Sequence, residues 1–195
     1  MNNESMLGTT LQNEKYHVRI TTAHTYIVES ADNRSYDCVL NPNKLGRNNM
    51  YRTLGISVSG SQNAEIALVG DYYTSDIDCA ILEGDILTVL QNDYISQIDL
   101  DTVQVVAGYK VDVFGTTFAI YRMLDGYLIY GEIEIIKLDN NFKPVWKFSG
   151  RDIFVSTSDK NAFELTEQSI KLYDFEDNFY ELDFDGNIIC EIPKG

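Results

Sequence analysis

A short phrase recurs along this chain: an apolar run, then Leu or Ile, Asp, any residue, Asp or Asn, then a second apolar run. It reads ISQIDLDTVQVV at 95–106, IIKLDNNFKPVWKF at 135–148 and FYELDFDGNIICEI at 179–192. Anchored on Ile98, Leu138 and Leu182, the copies lie 40 and 44 residues apart. Each has the form of strand, tight turn, strand, because Asp, Asn and Gly accept the positive φ that a short hairpin demands.

A period of about 40–45 residues is that of one four-stranded propeller blade. Strand signals run almost without a break after residue 71. The expected strands fall in three groups of about four: 77–82, 85–90, 94–98 and 103–107; 116–123, 127–130, 132–138 and 143–148; 153–157, 169–175, 178–184 and 187–192. Several are apolar on both faces, as at Ile135-Ile136, Phe118-Ala119-Ile120-Tyr121, Leu128-Ile129-Tyr130 and Ile188-Ile189. A sheet with one wet face would alternate strictly, whereas stacked sheets bury both faces. The expectation is an all-β, antiparallel, propeller-like stack of about three four-stranded sheets, with a β-sandwich as the alternative.

Residues 1–70 read as an irregular β segment of the same single domain. Strands are expected at 16–21 and 26–29, and a short one at 36–40 before a loop rich in Asn and Arg. A hairpin over 55–59 and 65–69 turns at Gly60-Ser61-Gln62-Asn63. Leu40-Asn41-Pro42-Asn43 is a degraded further copy of the phrase. No window of eleven residues keeps a helical apolar face behind a capping residue, and 162–169 is the best candidate for a single helical turn.

Leu138-Asp139 followed by Val145-Trp146-Lys147-Phe148 resembles the blades of pyrroloquinoline-quinone-type propeller repeats, in which a strand ending in Leu-Asp leads into one ending in Trp. Val106 and Cys190 stand at the comparable places of the other two copies. The resemblance implies a blade-like fold in the C-terminal half. It does not imply quinone binding, since the quinone enzymes of that class are much longer.

Catalytic, cofactor-binding and metal-binding residues are all expected to be none. There is no GxxxxGK[ST] and no GxGxxG after a strand, and Gly55-Ile56-Ser57-Val58-Ser59-Gly60 places its second Gly one position too late for a nucleophile elbow. His17 and His24 are the only histidines, and no CxxC or HExxH accompanies them. Asp183–Gly186 shares a fragment with calcium loops but supplies too few oxygens. Glu132 and Glu134 share one face of a strand without an evident cleft. Cys38 is the thiol nearest the histidines in sequence. Arg19, Arg34, Lys44, Arg47 and Arg52, with Tyr51 nearby, make the N-terminal third the one relatively basic part, and its loop 44–52 is a candidate for a small anion, with a solvated loop as the alternative.

Charge is the remaining signal. Thirty acidic against fifteen basic residues give −15, and residues 151–195 hold eleven Asp/Glu against four Lys/Arg. Such a field repels phosphate backbones and anionic lipid, and speeds encounter with cations. No secretory signal and no run of ~20 apolar residues is present, and Cys38, Cys79 and Cys190 read as reduced thiols of a cytoplasmic protein. The function expected is therefore a non-enzymatic acidic binding protein that captures a basic macromolecular partner, as an immunity or antitoxin-like inhibitor does. The alternative is a small-ligand or glycan-binding module with a Tyr- and Trp-lined pocket. Oligomeric state is left open, since open sheet edges favour dimers and a closed ring does not.

Overall fold

The computed structural model describes residues 8–23, 26–31, 33, 36–73, 78–156 and 160–194. The described residues contain seventeen strands and no helix. The chain divides into two compact units, Met1–Lys110 and Val111–Gly195.

The first unit opens with a five-stranded mixed sheet, in the order β1 (Thr9–Gln12), β2 (Tyr16–Thr22), β4 (Arg52–Gly60), β5 (Ala64–Gly70), β3 (Cys38–Leu40). β2 alternates as its sequence dictates, with Tyr16, Val18 and Ile20 buried and His17 and Arg19 exposed. β3 runs parallel to β5, the one departure from antiparallel pairing among the described residues. The unit's second sheet is a meander of β6 (Ala80–Glu83), β7 (Ile86–Gln91), β8 (Tyr94–Asp99) and β9 (Gln104–Lys110). Its Leu87, Val89, Ile98 and Leu100 join Val18, Ile20, Leu54, Ile56, Ile66 and Leu68 of the first sheet in one core.

The second unit holds two more four-stranded meanders. One comprises β10 (Thr117–Met123), β11 (Gly126–Gly131), β12 (Glu134–Asp139) and β13 (Pro144–Ser149). The other comprises β14 (Phe163–Leu165), β15 (Ile170–Tyr173), β16 (Phe179–Leu182) and β17 (Ile188–Ile192). Leu128, Ile135, Phe154, Ile170, Leu172, Tyr180 and Leu182 form the core between them.

The recurring phrase marks equivalent corners of three sheets. Asp99, Asp139 and Asp183 each close the third strand of a four-stranded meander, and a register shift falls one residue before each, at Gln97/Ile98, Lys137/Leu138 and Glu181/Leu182. The preceding apolar residue is fully buried every time.

The turns explain why Asp is needed there. Asp139 Oδ1 accepts the backbone N–H of Asn141 (2.8 Å) and Lys143 (2.9 Å), and its carbonyl accepts that of Phe142. Phe142 takes a φ of 59°. Asp183 repeats the arrangement on Asp185, Asn187 and Gly186, whose φ is 84°. The same turn recurs unforeseen at Asp174, with Asp177 at φ 65°. Asn41 makes the side-chain and backbone bonds of the turn to Leu45 and Lys44, with Lys44 at φ 54°. The degraded fourth copy thus keeps the corner but has no strand after it. At Asp99 the loop is one residue longer, and Oδ1 accepts both the N–H and the hydroxyl of Thr102.

Three local expectations are corrected. Residues 26–29 form a turn, because Glu29 sits at φ 62° and Asn33 bonds both backbone groups of Ile27. Residues 153–156 form no strand, since Phe154 turns into the core and Glu132 and Tyr130 take its backbone groups; residue 157 lies outside the described residues. The first strand of the last sheet is instead β14, inside the stretch 162–169, the best candidate for a helical turn in a chain expected to have little or no helix. Ile188 and Ile189, read as buried on both faces, lie 50% and 57% exposed on an edge strand.

Candidate binding surface

In a four-stranded antiparallel meander the first and third turns share one end of the sheet. The repeated Asp corners therefore gather carboxylates at that end. In the β6–β9 sheet, Glu83 and Asp85 sit in or beside the first turn, and Asp99 and Asp101 belong to the third. Lys15 reaches between them and bonds Asp85 and Asp101 at 2.7 Å each. These contacts, that with Asp101 the larger, raise the Lys15 pKa well above its ordinary value, while Lys15 and the Tyr16 hydroxyl lower that of Asp101. In the β10–β13 sheet, the buried Lys137 meets Asp125 of the first turn and holds its carboxyl below the ordinary range.

Among the described residues no lysine plays that part at the same end of the β14–β17 sheet. Among the described residues Glu167, Asp183 and Asp185 meet no Lys or Arg. Asp183 is held below its ordinary pKa by the Asn187 side chain and by backbone N–H groups, so it stays ionised.

The same imbalance holds across Val111–Gly195, which carries sixteen Asp/Glu and eight Lys/Arg. Six of those eight cations are already engaged. Lys137, Lys147, Arg151, Lys160 and Lys194 form ion pairs, and Arg122 bonds the carbonyls of Met123 and Gly126. What the unit offers an incoming molecule is mostly uncompensated carboxylate.

The other end of the last sheet holds an aromatic recess of about 350 Å3. Tyr173 and Phe179 form its floor, their ring centroids 5.1 Å apart, beside Ile192 and Pro193. The Lys160 ammonium lies 4.6 Å from the Tyr173 centroid, and Asp177 pairs with both Lys160 and Lys194. Behind the recess Asp174 is wholly buried, and accepts from the Asn178 amide and the Tyr180 hydroxyl at 2.9 Å.

The residues weighed for chemistry do not converge. Ser57 lies within β4 and donates to Glu65 at 2.8 Å. His17 faces out of β2, and His24 lies outside the described residues. Cys38 borders an open groove of about 520 Å3 with Pro42 and Val103, where burial pushes its thiol pKa up, away from the reactive thiolate. Glu134 accepts from Lys147 and the Phe114 N–H, and Glu132 from the Thr116 N–H. In the basic loop, Arg47 donates to the carbonyls of Val28 and Glu29, Arg52 to that of Tyr73, and the Tyr51 hydroxyl accepts from the Val28 N–H. Trp146, the pocket candidate, donates its indole N–H to Phe184 and packs beside the core. The groups that sequence reading missed, Lys15, Lys137 and Asp174, carry no motif; only three-dimensional proximity reveals their partners.

No family model matches the chain, and no curated protein sequence matches it significantly. Solved structures do resemble it. A crystal structure of the computationally designed Ika8 protein is 9% identical, with a TM-score of 0.50, and the match covers 95% of this chain and 61% of that one. BamB from Moraxella catarrhalis, a β-propeller, is 11% identical at 0.46, covering 95% and 63%. Hsv2 from Kluyvelomyces marxianus is 11% identical at 0.42, covering 79% and 49%. The chain spans about three-fifths or less of the length of these structures. At 9% identity the likeness to Ika8 is one of fold alone.

Proposed function

We propose that the chain is a non-enzymatic acidic binding protein that captures a basic macromolecular partner in the cytoplasm, in the manner of an immunity or antitoxin-like inhibitor. The blades are read as pyrroloquinoline-quinone-type repeats in motif alone, serving as scaffold. One observation carries the reading: in Val111–Gly195 six of the eight cations are already engaged against sixteen carboxylates, so most of the carboxylate surplus is left without a cation. A field of one sign accelerates encounter with an oppositely charged protein and rejects like-charged ones.

Immobilised protein exposed to a cell extract and eluted in salt steps tests this. Retained proteins are expected to be basic and to leave as salt shortens the Debye length from about 10 Å at 0.1 M to about 3 Å at 1 M. Retention of no basic protein, or elution indifferent to salt, contradicts it.

The recess on Tyr173 and Phe179 supports the second reading, a module for a small ligand or glycan. Binding of a neutral saccharide that is lost in Tyr173→Ala and insensitive to salt would favour it over the first.

A further inference from the structure

Each four-stranded sheet ends in an edge strand, and the three edges differ in chemistry. β9 carries Gly108 and ends on Lys110, while β13 begins on Pro144 and carries Lys147. Proline and lysine are among the residues that keep an edge from recruiting another strand. β17 reads Ile-Ile-Cys-Glu-Ile and has neither. Ile188, Ile189 and Ile192 are 50%, 57% and 57% exposed. Among the described residues β17 pairs with β16 alone.

The aromatic recess meets that edge. Tyr173, Phe179 and Ile192 are successive cross-strand partners, so their side chains form a row across one face of the sheet. The row stops at Ile192 because the sheet stops there. At the other end of β17 stand Asp183 and Asp185, which pair with no cation among the described residues.

We propose that β17 is the docking strip for an extended segment of the basic partner, which adds to the sheet as a fifth strand. One apolar side chain of the segment continues the Tyr173–Phe179–Ile192 row into the recess. A lysine or arginine at its far end meets Asp183 and Asp185. In strand addition the backbone ladder supplies affinity and the alternating side chains supply specificity. With a rise of about 3.4 Å per residue, the five residues of β17 separate anchor and cation by roughly 17 Å. A second copy of the chain fits the strip less well. Two molecules of −15 repel, and antiparallel self-pairing about Cys190 would set Glu191 opposite Ile189.

The proposal rests on acidic capture, and the test separates the two. The probe is an acetylated, fluorescent decapeptide alternating lysine and valine around a central phenylalanine, titrated against the full chain; its glutamate-for-lysine counterpart is the control. Backbone hydrogen exchange is followed over residues 187–193. The lysine peptide is expected to bind and the glutamate peptide not, with exchange slowed across β17. Ile189→Pro, which removes a backbone donor, and Ile192→Lys, which puts charge in the recess, are each expected to weaken binding about tenfold or more. The lysine substitution, at an exposed site, keeps the test valid if the proline variant misfolds. Salt-sensitive binding with unchanged exchange over 187–193, and equal affinity in both variants, would overturn the docking strip and leave acidic capture standing. Failure of the lysine peptide and of poly-L-lysine alike would overturn both. A dimer in light scattering that Ile192→Lys dissociates would place a second copy on the edge and overturn the proposal as well.

Discussion

The indole N–H of Trp146 donates to the carbonyl of Phe184 at 3.1 Å, and the same ring lies against the α-carbon of Gly186. The edge strand of one sheet is thereby fastened to the third turn of the next. A β-carbon at 186 would stand 2.7 Å from the ring, and φ there is 84°. Both penalties fall on Gly186→Ala, which is expected to destabilise the protein by about 1–3 kcal/mol. Denaturant unfolding monitored by Trp146 fluorescence checks this.

Asp174 carries the same turn as Asp139 but in the interior. It accepts five hydrogen bonds, from the backbone N–H of Glu176 and Asn178, twice from the Asn178 amide and once from the Tyr180 hydroxyl. Replacement by Ala strands buried donors, so Asp174→Ala is expected to cost about 3 kcal/mol or more. Asp139→Ala, whose donors can turn to water, is expected to cost clearly less. Unfolding midpoints of the two variants decide the order.

Lys137 is 2% exposed on β12, and Asp125 is its counter-ion. Removing the carboxylate leaves a buried ammonium unpaired, whereas replacing the lysine with an apolar chain of similar length leaves nothing stranded. Asp125→Ala is expected to lose about 2 kcal/mol, less than for a fully enclosed pair because Asp125 itself reaches water. Lys137→Met is expected to be near neutral. The opposite order of thermal midpoints would contradict this account of the pair.

The acid limb of stability has a defined sign. Asp101, Asp125, Asp139 and Asp183 all have folded-state pKa values below the ordinary one, through Lys15, Lys137, the Lys143 N–H and the Asn187 amide respectively. A depressed carboxyl contributes stability above its unfolded pKa of about 3.9, and the contribution is lost as pH falls through the folded value. Asp183→Asn is therefore expected to be less stable than the parent at pH 7, with the gap closing below about pH 4. Urea titrations across that range check it.

The corners were legible in the sequence because each needs a particular chemistry: a side-chain acceptor to cap the turn, a residue able to take positive φ, and a buried Leu or Ile before it. Ile98-Asp99, Leu138-Asp139 and Leu182-Asp183 supply the first and the last, but only the third copy supplies the second, in Gly186; in the other two Val103 and Phe142 hold the positive φ, which their side chains do not favour. Elements without such local chemistry were not legible. Ile153–Val155 is an unbroken apolar run with the composition of a strand, and only contact with Glu132 and Tyr130 makes it a core plug. Ile188-Ile189 has the composition of a buried strand, and its exposure follows from β17 being last in its sheet. The acidic excess could be counted from the sequence. Which carboxylates keep no cation could not, because Lys15 and Lys137 find their partners seventy or more and twelve residues away.

Carboxylate footprinting tests the central claim most directly: a water-soluble carbodiimide and glycine ethyl ester label the protein alone and with a basic protein it has retained. Labelling of Glu167, Asp183 and Asp185 is expected to fall on complex formation, and to recover at high salt. Unchanged labelling of these three in a stable complex would contradict the account.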